Sequence, residues 1–189
     1  YSTFFPDTAI ARAVNYLPAR TVTMVSGLPM GALVQIEAVL SHGDGTPPQA
    51  VEDRHGIVIK TNNTEQAPKH LLSTQTVAFS HYNHLSGQLP INPKTGKLIG
   101  SDIKAQTKQC LENIKAIVES IDHKMDDIVK VTIQLTDMTD IDTVNDIYTT
   151  FFDGELPART VFGVSAIPMD ALIQIDAVLS NAEGTPPVR

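Results

Sequence analysis

A few side chains in this sequence could do chemistry, and their spacing limits what that chemistry is. Arg159 follows Leu156-Pro157-Ala158 at the entry to a β-prone run. Pro157 restricts its own φ and stiffens that entry. A guanidinium held there offers a fork for a carboxylate; the same pattern also fits a strand-edge arginine paired with a nearby acid. Gln174 and Asp176 alternate with Ile173 and Ile175. Two polar side chains therefore share one strand face, lining a site or facing solvent. Ser86-Gly87-Gln88 closes another β-prone run, where Gly87 either admits a ligand close to the backbone or makes a plain turn. Asn145 sits mid-helix, reaching toward the strands or facing water.

Other chemistries find little support. His81 and His84 are three apart on a β-prone run, so they point to opposite faces and do not suit one ion. With one cysteine, Cys110, and no HExxH, no metal site is expected. There is no P-loop, dinucleotide fingerprint, GxSxG elbow or CxxC. A lone cysteine rules out a disulfide within the chain and fits a reducing compartment. The formal charge is −7 and the basic residues are scattered, which argues against a nucleic-acid partner. No apolar run reaches the ~18 residues of a membrane span. A cytoplasmic protein is expected, with an upstream targeting segment left open because the first residue is Tyr1. Asn62-Asn63-Thr64 matches the glycosylation sequon and is read as coincidence.

The elements that must position these residues follow from hydrophobic period. Gly56 to Thr61 is a short β-rich run, and Thr74 to His84 reads as a strand entering a loop. Asn92-Pro93-Lys94-Thr95-Gly96 is a turn. From Ser101, residues Ile103, Cys110, Leu111, Ile114, Ile117, Val118 and Ile121 fall at helical spacing on one face. Asp127 to Leu135 reads as a strand with Val129, Val131, Ile133 and Leu135 on one side. Thr139-Asp140-Ile141-Asp142 resembles a capped start of a helix running to about Phe152. Ala158 to Ala166 and Leu172 to Leu179 are the last strands. This order predicts an α+β fold, one mixed sheet with two helices on one face. The other face then needs a cover, and association with other modules is the expected one.

The chain also repeats itself. Leu17 to Pro48 matches Leu156 to Pro187 at a constant offset of 139 residues, without gaps, at 22 of 32 positions. Tyr1 to Phe5 rhymes with Tyr148 to Phe152. A solenoid repeats every ~20–50 residues, so a period this long is a whole domain. Residues 1–50 are expected to be the C-terminal part of one module and 51–189 a complete second one. A half-module that swaps into a neighbour's sheet is the other reading.

These segments resemble the RidA (YjgF) family. The resemblance rests on Leu156-Pro157-Ala158-Arg159-Thr160-Val161, Ile167-Pro168-Met169-Asp170 and Ile173-Gln174-Ile175-Asp176-Ala177, and on Ser86 to Gly96 as the family's SGQ-x-P-x-NP-x-TG segment. It spans residues 55–189, with Gln106–Glu119, Asp127–Lys130 and Thr143–Asn145 also in order. It implies a chorismate-mutase-like module that forms trimers, with clefts between subunits. It implies hydrolysis of 2-iminopropanoate and 2-iminobutanoate to keto acids and ammonia, with no metal or cofactor. It puts the carboxylate-binding arginine on Arg159, or Arg20 in the first copy, with Ser86, Gly87, Asn145 and Val161 around the substrate. Two departures stand out. The water-positioning glutamate is Gln174, and Gln35 in the first copy, which cannot accept a proton. The family's GPY segment is replaced by Leu72-Ser73-Thr74. A non-catalytic module binding small carboxylates is therefore the alternative to a deaminase, ahead of the ribonuclease and translation-inhibitor labels the family also carries. Whether copies assemble as a homotrimer or a pseudo-symmetric mixture of modules is left open.

Overall fold

The computed structural model describes residues 17–38, 60–79 and 82–180. The rhyming residues 1–5, most of the Gly56–Thr61 run and His81 lie outside them. A six-stranded mixed sheet forms the centre. Its strands are β1 (Lys60–Asn62), β2 (Thr76–Phe79), β3 (Tyr82–Leu85), β6 (Ile128–Leu135), β7 (Ala158–Gly163) and β8 (Ile173–Ser180). They lie in the order β1-β2-β3-β8-β6-β7. Every pairing is antiparallel except β6 with β7, which is parallel. That parallel pair needs a long crossover, and helix α2 (Ile141–Tyr148) lies within it. Two short strands, β4 (Ile91–Asn92) and β5 (Lys97–Leu98), make a separate hairpin across the expected Asn92–Gly96 turn.

Helix α1 (Ile103–Glu119) packs on one face of the sheet with the stripe expected from its period. Cys110, Leu111, Ile114, Ile117 and Val118 are at most 1% exposed and meet Ile133, Leu135, Ile173, Ile175 and Leu179. Each such aliphatic side chain contributes roughly 1.5–3 kcal/mol on leaving water. Asp102 caps the helix, its Oδ2 accepting from the Ala105 N–H at 3.0 Å. Loss of such a cap costs about 1 kcal/mol. No helix among the described residues is long and apolar enough to cross a membrane.

Three local expectations need correction. Thr74–His84 is not one strand: β2 and β3 fold back on each other, with Thr76 opposite Leu85. In β6 the register shifts between Ile128 and Lys130. This bulge turns Ile128 inward and leaves Val129 40% exposed, so only Val131, Ile133 and Leu135 keep the predicted buried face. The second helix is not capped by Thr139 or Asp140. Asp137 instead accepts from the Thr139 N–H at 2.9 Å and starts a 3-10 turn, Met138–Asp140, ahead of α2.

Both helices lie on one side of the sheet, as expected. Across the other side runs the extended segment Leu17–Met24 from the first repeat copy. The copies share local backbone even where they differ in setting. Pro29–Gly31 and Pro168–Asp170 each form a 3-10 turn in which a methionine takes a left-handed conformation, Met30 at φ 59, ψ 20 and Met169 at φ 63, ψ 20.

Candidate active-site cleft

Strand alternation sorts the candidate residues onto two faces. On β6 and β8, Val131, Ile133, Leu135, Ile173, Ile175, Ala177 and Leu179 belong to the helix-side core. The residues between them, Lys130, Thr132, Gln134, Gln174 and Asp176, therefore point to the opposite face. Gln134 and Gln174 are paired neighbours in register and are 2% and 3% exposed. Gln174 Nε2 donates to Gln134 Oε1 at 3.1 Å. A buried amide is tolerable only with such partners.

The rest of those partners come from the first repeat copy. Gln174 Nε2 also donates to the Val22 carbonyl at 2.9 Å. Thr23 Oγ1 donates to Gln134 Oε1 at 3.0 Å, and Thr21 Oγ1 to Asp176 Oδ2 at 3.4 Å. The Thr74 N–H donates to the Pro18 carbonyl (3.3 Å), the Gly87 N–H to that of Arg20 (3.1 Å) and the Ser165 N–H to that of Met24 (3.1 Å). The Arg20 N–H donates to Ser86 Oγ at 2.9 Å. Ser86 in turn donates to the Thr74 carbonyl at 2.6 Å, so its hydroxyl both gives and receives. Leu17–Met24 is thus laced to the face through Pro18, Arg20, Val22 and Met24, every second residue, hence along one strand edge.

Gly87 is at the centre of this seam, and the reason it is glycine is spatial. A Cβ there would stand 3.0 Å from Gln174 Cδ and 3.1 Å from Thr21 Cγ2. The carboxyl of Asp176, on the same face, is pushed up to about 6, mainly by burial, with hydrogen bonds from Thr132 and Thr21 and the charge of Lys130 opposing. It can therefore exchange protons close to neutrality. His70 is held below its ordinary value by burial and then by the Arg20 charge, and His84 by burial.

Arg159 lies elsewhere. Its Nη1 donates to Asn145 Oδ1 at 2.7 Å, and its guanidinium carbon is 5.0 Å from the centre of the Tyr148 ring. Asn145 and Tyr148 belong to α2, and Val161 packs on the helix-side core. Within one chain, then, Arg159, Asn145 and Val161 gather on the helix side, while Ser86, Gly87 and Gln174 gather on the opposite face against the backbone of Arg20 and Val22. Gln35 is exposed and apart from both groups. Among the described residues no group of three or more His, Cys, Asp or Glu side chains is arranged to hold a metal ion.

Sequence pattern alone does not single out Gln134, Thr21, Thr23 or Tyr148 as site residues. Gln134 was within reach of the sequence: once Ile133 and Leu135 are assigned to the core, alternation turns it to the side of Gln174. The roles of Thr21 and Thr23 come from a contact between residues more than a hundred positions apart, which no local pattern signals.

Residues 64–180 match the family model described as Endoribonuclease L-PSP. A RutC family protein of Pyrococcus horikoshii is 43% identical over 116 residues, covering 61% of this chain and 92% of the relative. The 2-iminobutanoate/2-iminopropanoate deaminase of Escherichia coli is 42% identical over 123 residues, covering 63% of this chain and 95% of the relative. The crystal structure of the E. coli YjgF gene product superposes with a TM-score of 0.62 at 40% identity, over 65% of this chain and 99% of that one. Match to the family model, sequence relatives and fold agree, and the chain belongs to the Endoribonuclease L-PSP family, the RidA/YjgF proteins its motifs resemble.

Proposed function

We propose that this chain hydrolyses small 2-imino acids, such as 2-iminopropanoate and 2-iminobutanoate, to the 2-keto acid and ammonia, in a cytoplasmic setting. The observation that carries this reading is the meeting of the Leu17–Met24 backbone, the Ser86-Gly87 loop and the buried Gln134–Gln174 pair on one polar face. The 42% identity to an E. coli protein named for this activity supports it.

The chemistry asks for little. A protonated imine carbon is already electrophilic. Water adds to it, a proton moves from that water to nitrogen, and ammonia leaves as the carbonyl forms. No electrons are exchanged. The protein has to hold the carboxylate, place the water and relay protons. Arg20 is assigned to the carboxylate because the segment that carries it is the copy of the motif whose backbone is seated on this face. Gln174 orients water through its amide. Asp176, titrating at about 6, relays protons on the same face.

The second reading, a module that binds small carboxylates without turning them over, has its own observation. Gln174 cannot accept a proton, and its Nε2 is already engaged by Val22 and Gln134. Ammonia release from freshly generated 2-iminopropanoate separates the two. Acceleration by the wild type and its loss in Arg20→Ala support the deaminase. A wild type no faster than buffer, with pyruvate still bound in calorimetry, establishes the binding module instead.

A further inference from the structure

Residues 17–38 and 156–177 differ at only seven of 22 positions. The second copy supplies β7 and β8, where Ile173 and Ile175 are 0% exposed. In the first copy the matching Val34 and Ile36 are 70% and 79% exposed, and among the described residues no strand pairs with them. The chain thus holds two near-equal candidates for one place in its sheet. Both already carry the turn that joins β7 to β8, with Met30 and Met169 left-handed. The next residue is left-handed too, Gly31 at φ 71 and Asp170 at φ 58. Glycine takes that conformation without the crowding of a Cβ, so at this position the unseated copy is the better suited one.

We propose that the two copies exchange within one chain: the second forms β7 and β8 in the ground state, and residues 17–38 take that place in a minor state. The connection reaches. Val178 is level with His84, His84 with Val77 and Val77 with Thr61, so β8 stands three strand spacings, ~14 Å, from β1. Between Ala38 and Lys60 lie 21 residues, enough for ~70 Å when extended. The apolar surface that one copy exposes the other hides, so it cancels in the balance, and two packings of one chain come close in free energy. Single positions then set the bias. A Cβ on Gly163 would stand 3.2 Å from Met138 Cγ, so Met24 crowds that place. Val34 lacks a methylene that Ile173 packs into the core. The exchanged state brings Gln35 and Glu37 to the polar face in place of Gln174 and Asp176, and takes Arg20 to α2.

Ile175→Asp puts a carboxylate into the core, which a sheet with no replacement strand does not survive. Here Ile36 stands ready. The experiment compares the full chain, Ile175→Asp and Ile175→Asp/Ile36→Asp by urea unfolding and by hydrogen exchange read in a mass spectrometer. Peptides that reach Gly31 or Asp170 differ in mass and so identify the copy. The expected result is that Ile175→Asp keeps a cooperative transition, with slow exchange moved from residues 173–177 to 34–38, and that the double variant is unfolded. An Ile175→Asp chain as unfolded as the double variant, or folded with protection still on 173–177, overturns the proposal. Met24→Gly is the second variant. It removes the crowding at Gly163 and leaves the second copy unaltered. The amides of β8 then exchange about tenfold faster while those of α1 keep their rate, since the exchanged state still covers α1. Adding Ile36→Asp, at a site exposed in the ground state, restores the slower rate. No quickening, or a quickening that Ile36→Asp leaves in place, overturns the proposal. Neither readout uses turnover, so either failure leaves the imine reading to its own test.

Discussion

The two repeat copies are one sequence in two settings. Gln174 is 3% exposed, because β8 lies between β3 and β6 with helices over one face and Leu17–Met24 over the other. Its counterpart Gln35 is exposed, and its neighbours Leu33 and Ile36 are 95% and 79% exposed, with no strand beside them among the described residues. At the start of the repeat the order reverses: Arg20 is half-buried on the polar face, while Arg159 is exposed and held by Asn145. The turn between them is the same in both copies, down to the left-handed methionine. Local conformation thus follows the local sequence. Burial follows the partners that surround it, and these differ.

The largest expected effect comes from exchanging the two arginines' fates. Arg20→Ala lowers kcat/KM for 2-iminopropanoate about 100-fold, the order expected for a lost charge-assisted clamp, and Arg159→Ala changes it less than about threefold. The opposite ranking, measured as ammonia release at one protein concentration, would mean that the clefts are served by Arg159 from a second copy.

Two glycines sharpen the comparison in stability. Gly87→Val places methyls against Gln174 and Thr21 and costs about 1–3 kcal/mol in urea midpoint. Gly27→Ala meets nothing within 4 Å and stays within about 0.5 kcal/mol; the second copy already has alanine there, as Ala166. Equal costs would show that the seam over Gly87 does not exist in solution.

Gln174→Glu supplies a proton acceptor where the amide only orients water, and about a tenfold gain in turnover is expected. The new carboxylate faces the Val22 carbonyl, so the exchange rate of the Gly87 amide should be followed as well. If wild type and variant are both inert, the catalytic reading of this face is wrong.

The smallest effect is in pH. Asp176 has a folded-state value raised to about 6 by burial. The stability tied to its neutral form is fully present below its ordinary value and is lost as pH rises through 6. Asp176→Asn removes that slope. Relative to wild type it gains on the order of 1 kcal/mol between pH 4 and pH 7 in chemical denaturation, and none below pH 4. A gain that is the same at both pH values would contradict the raised carboxyl.

Much of this protein follows from its sequence alone. The helical stripe from Ile103 to Val118 specifies α1, because apolar residues at that period have to meet a core. Alternation around Ile173 and Ile175 puts Gln174 and Asp176 on one face, and the repeated motifs lead to the family. Where alternation alone misleads, the cause is a bulge, as at Val129, which inserts a residue that only the pairing of β6 with β8 reveals. Tertiary structure alone decided which copy of the motif lies against Gln174. Arg20 and Arg159 lie in the same six-residue sequence, so nothing local distinguishes them. The choice is made by which copy has a sheet of its own to join, since a strand paired with β6 carries its arginine side chain to α2, and a segment laid across the open face bonds its arginine's backbone to Ser86 and Gly87.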